Sequence, residues 1–105
     1  MLVQRGAKVT EFDDFHRSAF WYAALNESVG VTTVLVGAPG AKDAVNAADN
    51  DLKRTPLHIA VHGNTPELVG LLLRIGASRE QKDFLGETPD DYCKGHSTEA
   101  CQALR

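Results

Sequence analysis

A unit that returns along the chain constrains the fold more than any other feature of this sequence. Three segments align: Asp13-Asp-Phe-His-Arg-Ser-Ala-Phe-Trp-Tyr-Ala-Ala24, Asn50-Asp-Leu-Lys-Arg-Thr-Pro-Leu-His-Ile-Ala-Val61 and Asp83-Phe-Leu-Gly-Glu-Thr-Pro-Asp-Asp-Tyr-Cys-Lys94. Each opens on Asp or Asn, reaches Ser or Thr five positions later and runs into a short helical stretch. Thr55 and Thr88 are 33 residues apart (88 − 55), and Ser18 and Thr55 are 37 apart (55 − 18). Gly-Ala pairs close the units at Gly6-Ala7, Gly40-Ala41 and Gly76-Ala77. A period of this size predicts an array in which no unit buries its apolar face alone and stacking supplies the core. The extra residues of the first unit fall at Gly37-Ala-Pro-Gly40 and between Gly40 and Asn50, which predicts a lengthened exit loop there.

Local chemistry assigns the pieces of a unit. Thr55-Pro56 and Thr88-Pro89 are helix starts, a hydroxyl for the orphan amides followed by proline at the first helical position. The helix from Pro56 to Val61 buries Leu57, Ile59 and Ala60, with Ala60 small enough for a second helix to pack close. Thr65-Pro66-Glu67 starts that second helix, its carboxylate favourable to the helix dipole. Leu68, Val69, Leu71, Leu72 and Leu73 then form an apolar face, and Gly76 is the expected left-handed stop.

Thr55-Pro-Leu-His-Ile-Ala60, with its 33-residue spacing, resembles the signature of the ankyrin repeat. The likeness continues through Glu67-Leu-Val-Gly-Leu-Leu-Leu-Arg-Ile-Gly-Ala77. The resemblance implies an all-α fold, an ankyrin-repeat solenoid of stacked helix-turn-helix units with short hairpin-like loops. It divides residues 1–105, read as one domain, into the end of a preceding repeat (1–10), a repeat with a lengthened exit (11–47), the best-matching repeat (48–80) and a truncated or capping repeat (81–105). It also implies that His58 bonds backbone between neighbouring units, whereas Trp21 holds the same place in the first unit. Asp90-Asp91 replaces the apolar-His pair in the third. The hairpin position held by Gly86 becomes His16 and Lys53 in the other units, at a cost of roughly 1 kcal/mol if the backbone needs positive φ there.

Composition narrows the function. The net charge is −3, too far from basic to blanket a phosphate backbone, so nucleic acid is disfavoured as a partner. No apolar run approaches the roughly 20 residues of a membrane helix, and the opening residues lack the layout of a secretory signal. Cys93 and Cys101 are the only pair that could form an internal disulfide. So few cysteines suggest a reducing compartment, cytoplasm or nucleus. Both are read as small buried residues, because Cys93, His96 and Cys101 lack a fourth metal ligand nearby. Glu87, Asp90 and Asp91 cluster where a helix N-terminus favours negative charge. No nucleophile constellation or phosphate loop is present, so neither a catalytic site nor a cofactor is expected.

Of the aromatics, Phe12, Phe15, Phe20, Trp21 and Tyr22 lie near the N-terminus; Phe20 and Tyr22 are expected in the core and the excess at the end of the stack. Asn46 sits in a Val-Asn-Ala step that is hydroxylated in some family members, with a turn hydrogen bond as its ordinary role.

The family resemblance implies that partners bind a concave face of hairpin tips and first helices. In this sequence the tips are Asp14, Phe15 and Arg17; Asp51, Leu52 and Arg54; and Phe84, Leu85 and Glu87. Leu25 and His62 extend the strip. Apolar tips flanked by arginine and acid have the makings of an interface hot spot. Three readings follow: a protein-protein interaction module or scaffold, a regulatory or targeting segment of a larger protein or enzyme, and a stack that self-associates through its exposed ends.

Overall fold

The computed structural model describes residues 12–38, 40–94 and 98–104. The expected repeat end at 1–10 with its Gly6-Ala7 pair, together with Pro39, His96 and Ser97, lies outside them. The described residues form helices and turns with no strand: α1 (Ala19–Leu25), α2 (Val29–Val36), α3 (Ala41–Ala44), α4 (Pro56–His62), α5 (Pro66–Arg74), a 3-10 turn at Asp91–Cys93 and α6 (Glu99–Leu104). They pair as expected. α1 packs on α2 and α4 on α5, while α1 stacks on α4 and α2 on α5, so first helices make one layer and second helices another.

Side chains cap the starts of several helices, although the Thr65 hydroxyl, expected to cap α5, makes no such bond and is buried without a partner. Ser18, Ser28 and Thr55 accept the amides of Trp21, Val31 and His58. Thr55 and His58 form a reciprocal capping box, because His58 Nδ1 in turn accepts the Thr55 amide at 3.1 Å. In the third unit Asp91 takes over that part of the histidine's role. Its carboxylate accepts the Thr88 amide at 2.9 Å while the Thr88 hydroxyl accepts the Asp91 amide. The first helix of that unit shrinks to a 3-10 turn. Gly76 stops α5 at φ 101°, as expected.

The core lies between the two layers. Phe20, Leu35, Val45, Leu57, Leu68, Val69, Leu72, Ala100 and Leu104 are buried in one continuous cluster. Phe20 meets expectation, but Tyr22 is only half-buried and Trp21 is buried instead, packing with Ala24 and Ile59 in a small second cluster. His58 is fully buried and bonds the Glu87 carbonyl of the next hairpin through Nε2 at 2.9 Å, the between-unit link that the resemblance implied. Trp21 makes no such bond: its indole N–H is buried without a partner. Asn46 ties two unit exits together, its Nδ2 donating to the Gly76 carbonyl at 3.1 Å and its Oδ1 accepting the Ser78 amide at 2.6 Å.

Three expectations need correction. The hairpin residue equivalent to Asp13 and Asp83 is Asp49, not Asn50, so the middle hairpin is one residue longer. The lengthened exit of the first unit is not all loop, since α3 winds one helical turn within it. Cys93 and Cys101, expected as separate thiols, are joined in a disulfide that pins the 3-10 turn to α6. The pair therefore gives no support to a reducing compartment.

Candidate functional site

Three hairpin tips line up along one edge of the first-helix layer, and the same carboxylate chemistry shapes each. Asp13 Oδ1 accepts the amides of Phe15 and Arg17 at 3.0 and 2.8 Å. Asp49 accepts those of Leu52 and Arg54 at 3.2 and 2.8 Å, and Asp83 those of Leu85 and Glu87 at 2.9 Å each. These are Asp-nucleated turns, in which a side chain replaces a backbone acceptor. The turn then demands positive φ at His16 (62°), Lys53 (57°) and Gly86 (79°), the three positions singled out in the sequence. His16 is held by the Ala48 carbonyl, 2.9 Å from its Nδ1.

The tips are also tied to one another. The Asn50 amide donates to the Phe15 carbonyl at 2.8 Å and the Phe84 amide to the Leu52 carbonyl at 3.0 Å. Tyrosine hydroxyls lock the first and third tips from below. Tyr22 donates to Asp13 and Tyr92 to Asp83, the latter at 2.7 Å, each tyrosine nine residues after its aspartate. Burial raises the Asp83 carboxyl, but the Tyr92 hydroxyl and the amides of Glu87 and Leu85 outweigh it and leave the group below its ordinary value. The Tyr22 hydroxyl likewise lowers Asp13. Tyr92 is pushed well above the ordinary phenol value by burial and by the carboxylate it serves.

Nine of the eleven expected site residues fall into two groups. Leu52, Arg54, His62, Phe84, Leu85 and Glu87 come together along a groove of about 430 Å³ between the second and third units. Phe15, Arg17 and Asp51 form a cluster at the first tip. There the Arg17 guanidinium lies 4.6 Å from the ring centres of both Phe15 and Trp21 and reaches Asp51 at 3.4 Å. Asp14 and Leu25 are exposed but lie outside the groove's lining. The apolar tip residues stand well out into solvent, Phe84 at 57% and Leu85 at 67% exposure. Sequence reasoning missed Asp83, Asp91, Tyr92 and Lys94, which also line the groove. A signal for Tyr92 was present, because the Asp-to-Tyr interval of nine residues occurs in the first and third units alike.

This arrangement offers apolar side chains beside charge on a preformed surface. The described residues contain no group of three or more His, Cys, Asp or Glu that could hold a metal ion. No helix among them is long and apolar enough to cross a membrane.

Residues 52–84, from one hairpin tip to the next, match the family model of the ankyrin repeat. Over these residues the chain carries an ankyrin repeat. Among curated proteins, NF-kappa-B inhibitor alpha of Sus scrofa is 37% identical over 67 residues, 64% of this chain and 21% of the relative. The protein of the same name from Rattus norvegicus is 36% identical over the same shares. That from Homo sapiens is 50% identical over 40 residues, 38% of this chain and 13% of the relative. The matched part thus spans about a fifth of the first two relatives' length and less of the third. The ankyrin repeat supports a protein-interaction module in general terms.

Proposed function

We propose that this stack binds a partner protein through the concave face formed by its hairpin tips and first helices, and that it does so without catalysis. The observation that carries the proposal is the groove, where Leu52, Phe84 and Leu85 are exposed beside Arg54, Glu87 and His62 on a scaffold held by backbone hydrogen bonds. Apolar anchors with a charged rim, fixed before binding, lose little entropy on association. The relatives are named as inhibitors of NF-kappa-B, which is an action on another molecule. Cytoplasm and nucleus are the compartments we propose for such an interaction.

The test is affinity capture from cell extract with three proteins: the natural chain, a Leu52→Ala/Phe84→Ala variant and a Val34→Ala variant. Val34 is exposed on α2, in the other layer. All three should have the same circular dichroism. The partner should be lost with the groove variant and kept with the Val34 variant. Undiminished capture by the groove variant would remove the concave face from the account.

A second reading rests on the length of the relatives: the stack serves as the targeting or regulatory part of a larger protein. It uses the same surface and predicts the same loss.

A further inference from the structure

Repetition makes it possible to see what one position lacks. Arg17 and Arg54 are equivalent, each lying just before the Ser or Thr that caps a first helix. Arg17 has a counter-ion, Asp51 in the tip of the next unit, 3.4 Å away. Asp51 is the additional residue of the middle hairpin. Asn50 and Phe84 match, because both donate to the carbonyl of the preceding tip, and Leu52 and Leu85 match, because both amides are held by the hairpin aspartate. The shorter third hairpin has no residue in Asp51's place, and only Phe84 and Leu85 stand between Asp83 and the turn at Gly86.

Arg54 is consequently left without a partner. It makes no ion pair among the described residues, and this sets it apart from Arg17, since the Nε atoms of both are buried without a hydrogen-bond acceptor. Two of the nearby acids are engaged elsewhere. Asp83 is bonded to the Tyr92 hydroxyl and two amides, and Asp91 to the Thr88 amide and Lys94, the last at 3.1 Å. Glu87 also lines the groove and makes no ion pair among the described residues. A half-buried guanidinium beside apolar surface gains more from a carboxylate than an exposed one does, because water competes less and the fork can bond both oxygens.

We propose that this groove takes a partner segment presenting a carboxylate one or two residues from a large apolar side chain. Arg54 receives the carboxylate, and Leu52, Phe84 and Leu85 receive the apolar group. The partner thereby supplies to the second unit the counter-ion that Asp51 supplies to the first. The inference rests on the concave-face reading above and adds the chemistry of the partner. Glu87 lines the same groove and its like charge opposes an incoming carboxylate, so neutralising it should strengthen binding.

The test is selection of a phage-displayed random dodecapeptide library on the whole chain, followed by fluorescence anisotropy with the enriched peptides and their Asp→Asn or Glu→Gln versions. Enriched peptides should pair an acid with Leu, Ile or Phe. Neutralising that acid, or making Arg54→Gln, should each weaken binding by about tenfold or more, and together little further. Arg54→Lys should lose less than Arg54→Gln, and Glu87→Gln should tighten binding. Unchanged circular dichroism and urea midpoints keep a folding defect apart from a binding one. Peptides that need Leu52 and Phe84 but bind the Arg54→Gln variant equally well would overturn this inference and leave the groove standing. Peptides indifferent to all three residues would overturn the groove as well, and failure to enrich any sequence would count against both.

Discussion

Replacing His58 with alanine should remove more stability than any change of similar size on the first-helix layer. The imidazole is fully buried and works in two directions. Its Nδ1 accepts from the Thr55 amide at 3.1 Å and lies 2.8 Å from the Thr55 hydroxyl, which closes the capping box of α4. Because Nδ1 accepts, the ring proton must sit on Nε2, where it is donated to the Glu87 carbonyl of the next hairpin at 2.9 Å. Alanine leaves the amide without its side-chain acceptor and the carbonyl without its donor, each costing about 1–3 kcal/mol. The Glu87 end is only half-buried, so its share is at the low end, while the cavity left by the ring adds to the total. The sum is about 3–5 kcal/mol, a large part of what a small domain has available. Urea unfolding followed by far-ultraviolet circular dichroism reads it directly. A loss under about 1 kcal/mol would mean that the link between units is not carried by this histidine.

Other outcomes follow from the same geometry. Burial lowers the His58 pKa, so the folded state holds it neutral while the unfolded chain keeps the ordinary value near 6.5. Its stabilisation is complete above about pH 6.5 and lost as pH falls toward the depressed folded value, so the urea midpoint should drop from about pH 7.5 to about 5.5, and His58→Gln should flatten the drop. The carboxyls of Asp13, Asp83 and Asp91 are lowered and remain ionised over that range, contributing loss only in stronger acid. Lys53→Gly should stabilise the chain by about 0.5–1 kcal/mol, since relief of the left-handed conformation exceeds the added chain entropy; a lower urea midpoint would refute that balance. Reducing the Cys93–Cys101 bridge, whose ends are 8 residues apart, should cost about 2 kcal/mol, and thiol alkylation with mass spectrometry before and after reduction checks that the bridge exists in solution.

Much of the fold was legible because ankyrin units solve each local problem with a recognisable residue. Thr-Pro starts, the Gly76 stop, the positive-φ position shared by His16, Lys53 and Gly86, and the reach of His58 to the next unit all follow from single positions. Where several residues satisfied one rule, the sequence misled. Asn50 and Asp49 can each open an Asp-type turn, and only the pattern of amides donated to the carboxylate distinguishes them. That one-residue difference decides which of the two tip arginines has a counter-ion. The disulfide was hidden because burial and pairing place the same demand on a cysteine until the distance between α6 and the 3-10 turn is known. Tyr92 was hidden because its position in the best unit belongs to Ile59, an apolar residue that makes no hydrogen bond. The exposed tips were legible from their apolar character at positions with no core to fill, whereas the joining of five tip residues and His62 in one groove depends on how far successive hairpins are offset.

The most direct test of the concave-face account is a map of amide chemical shifts in the isotope-labelled chain as a bound partner or selected peptide is added. The account predicts the largest changes at Leu52, Arg54, Phe84, Leu85 and Glu87, with α2 and α5 nearly unmoved. Changes concentrated on α2 and α5, with the tips silent, would contradict it.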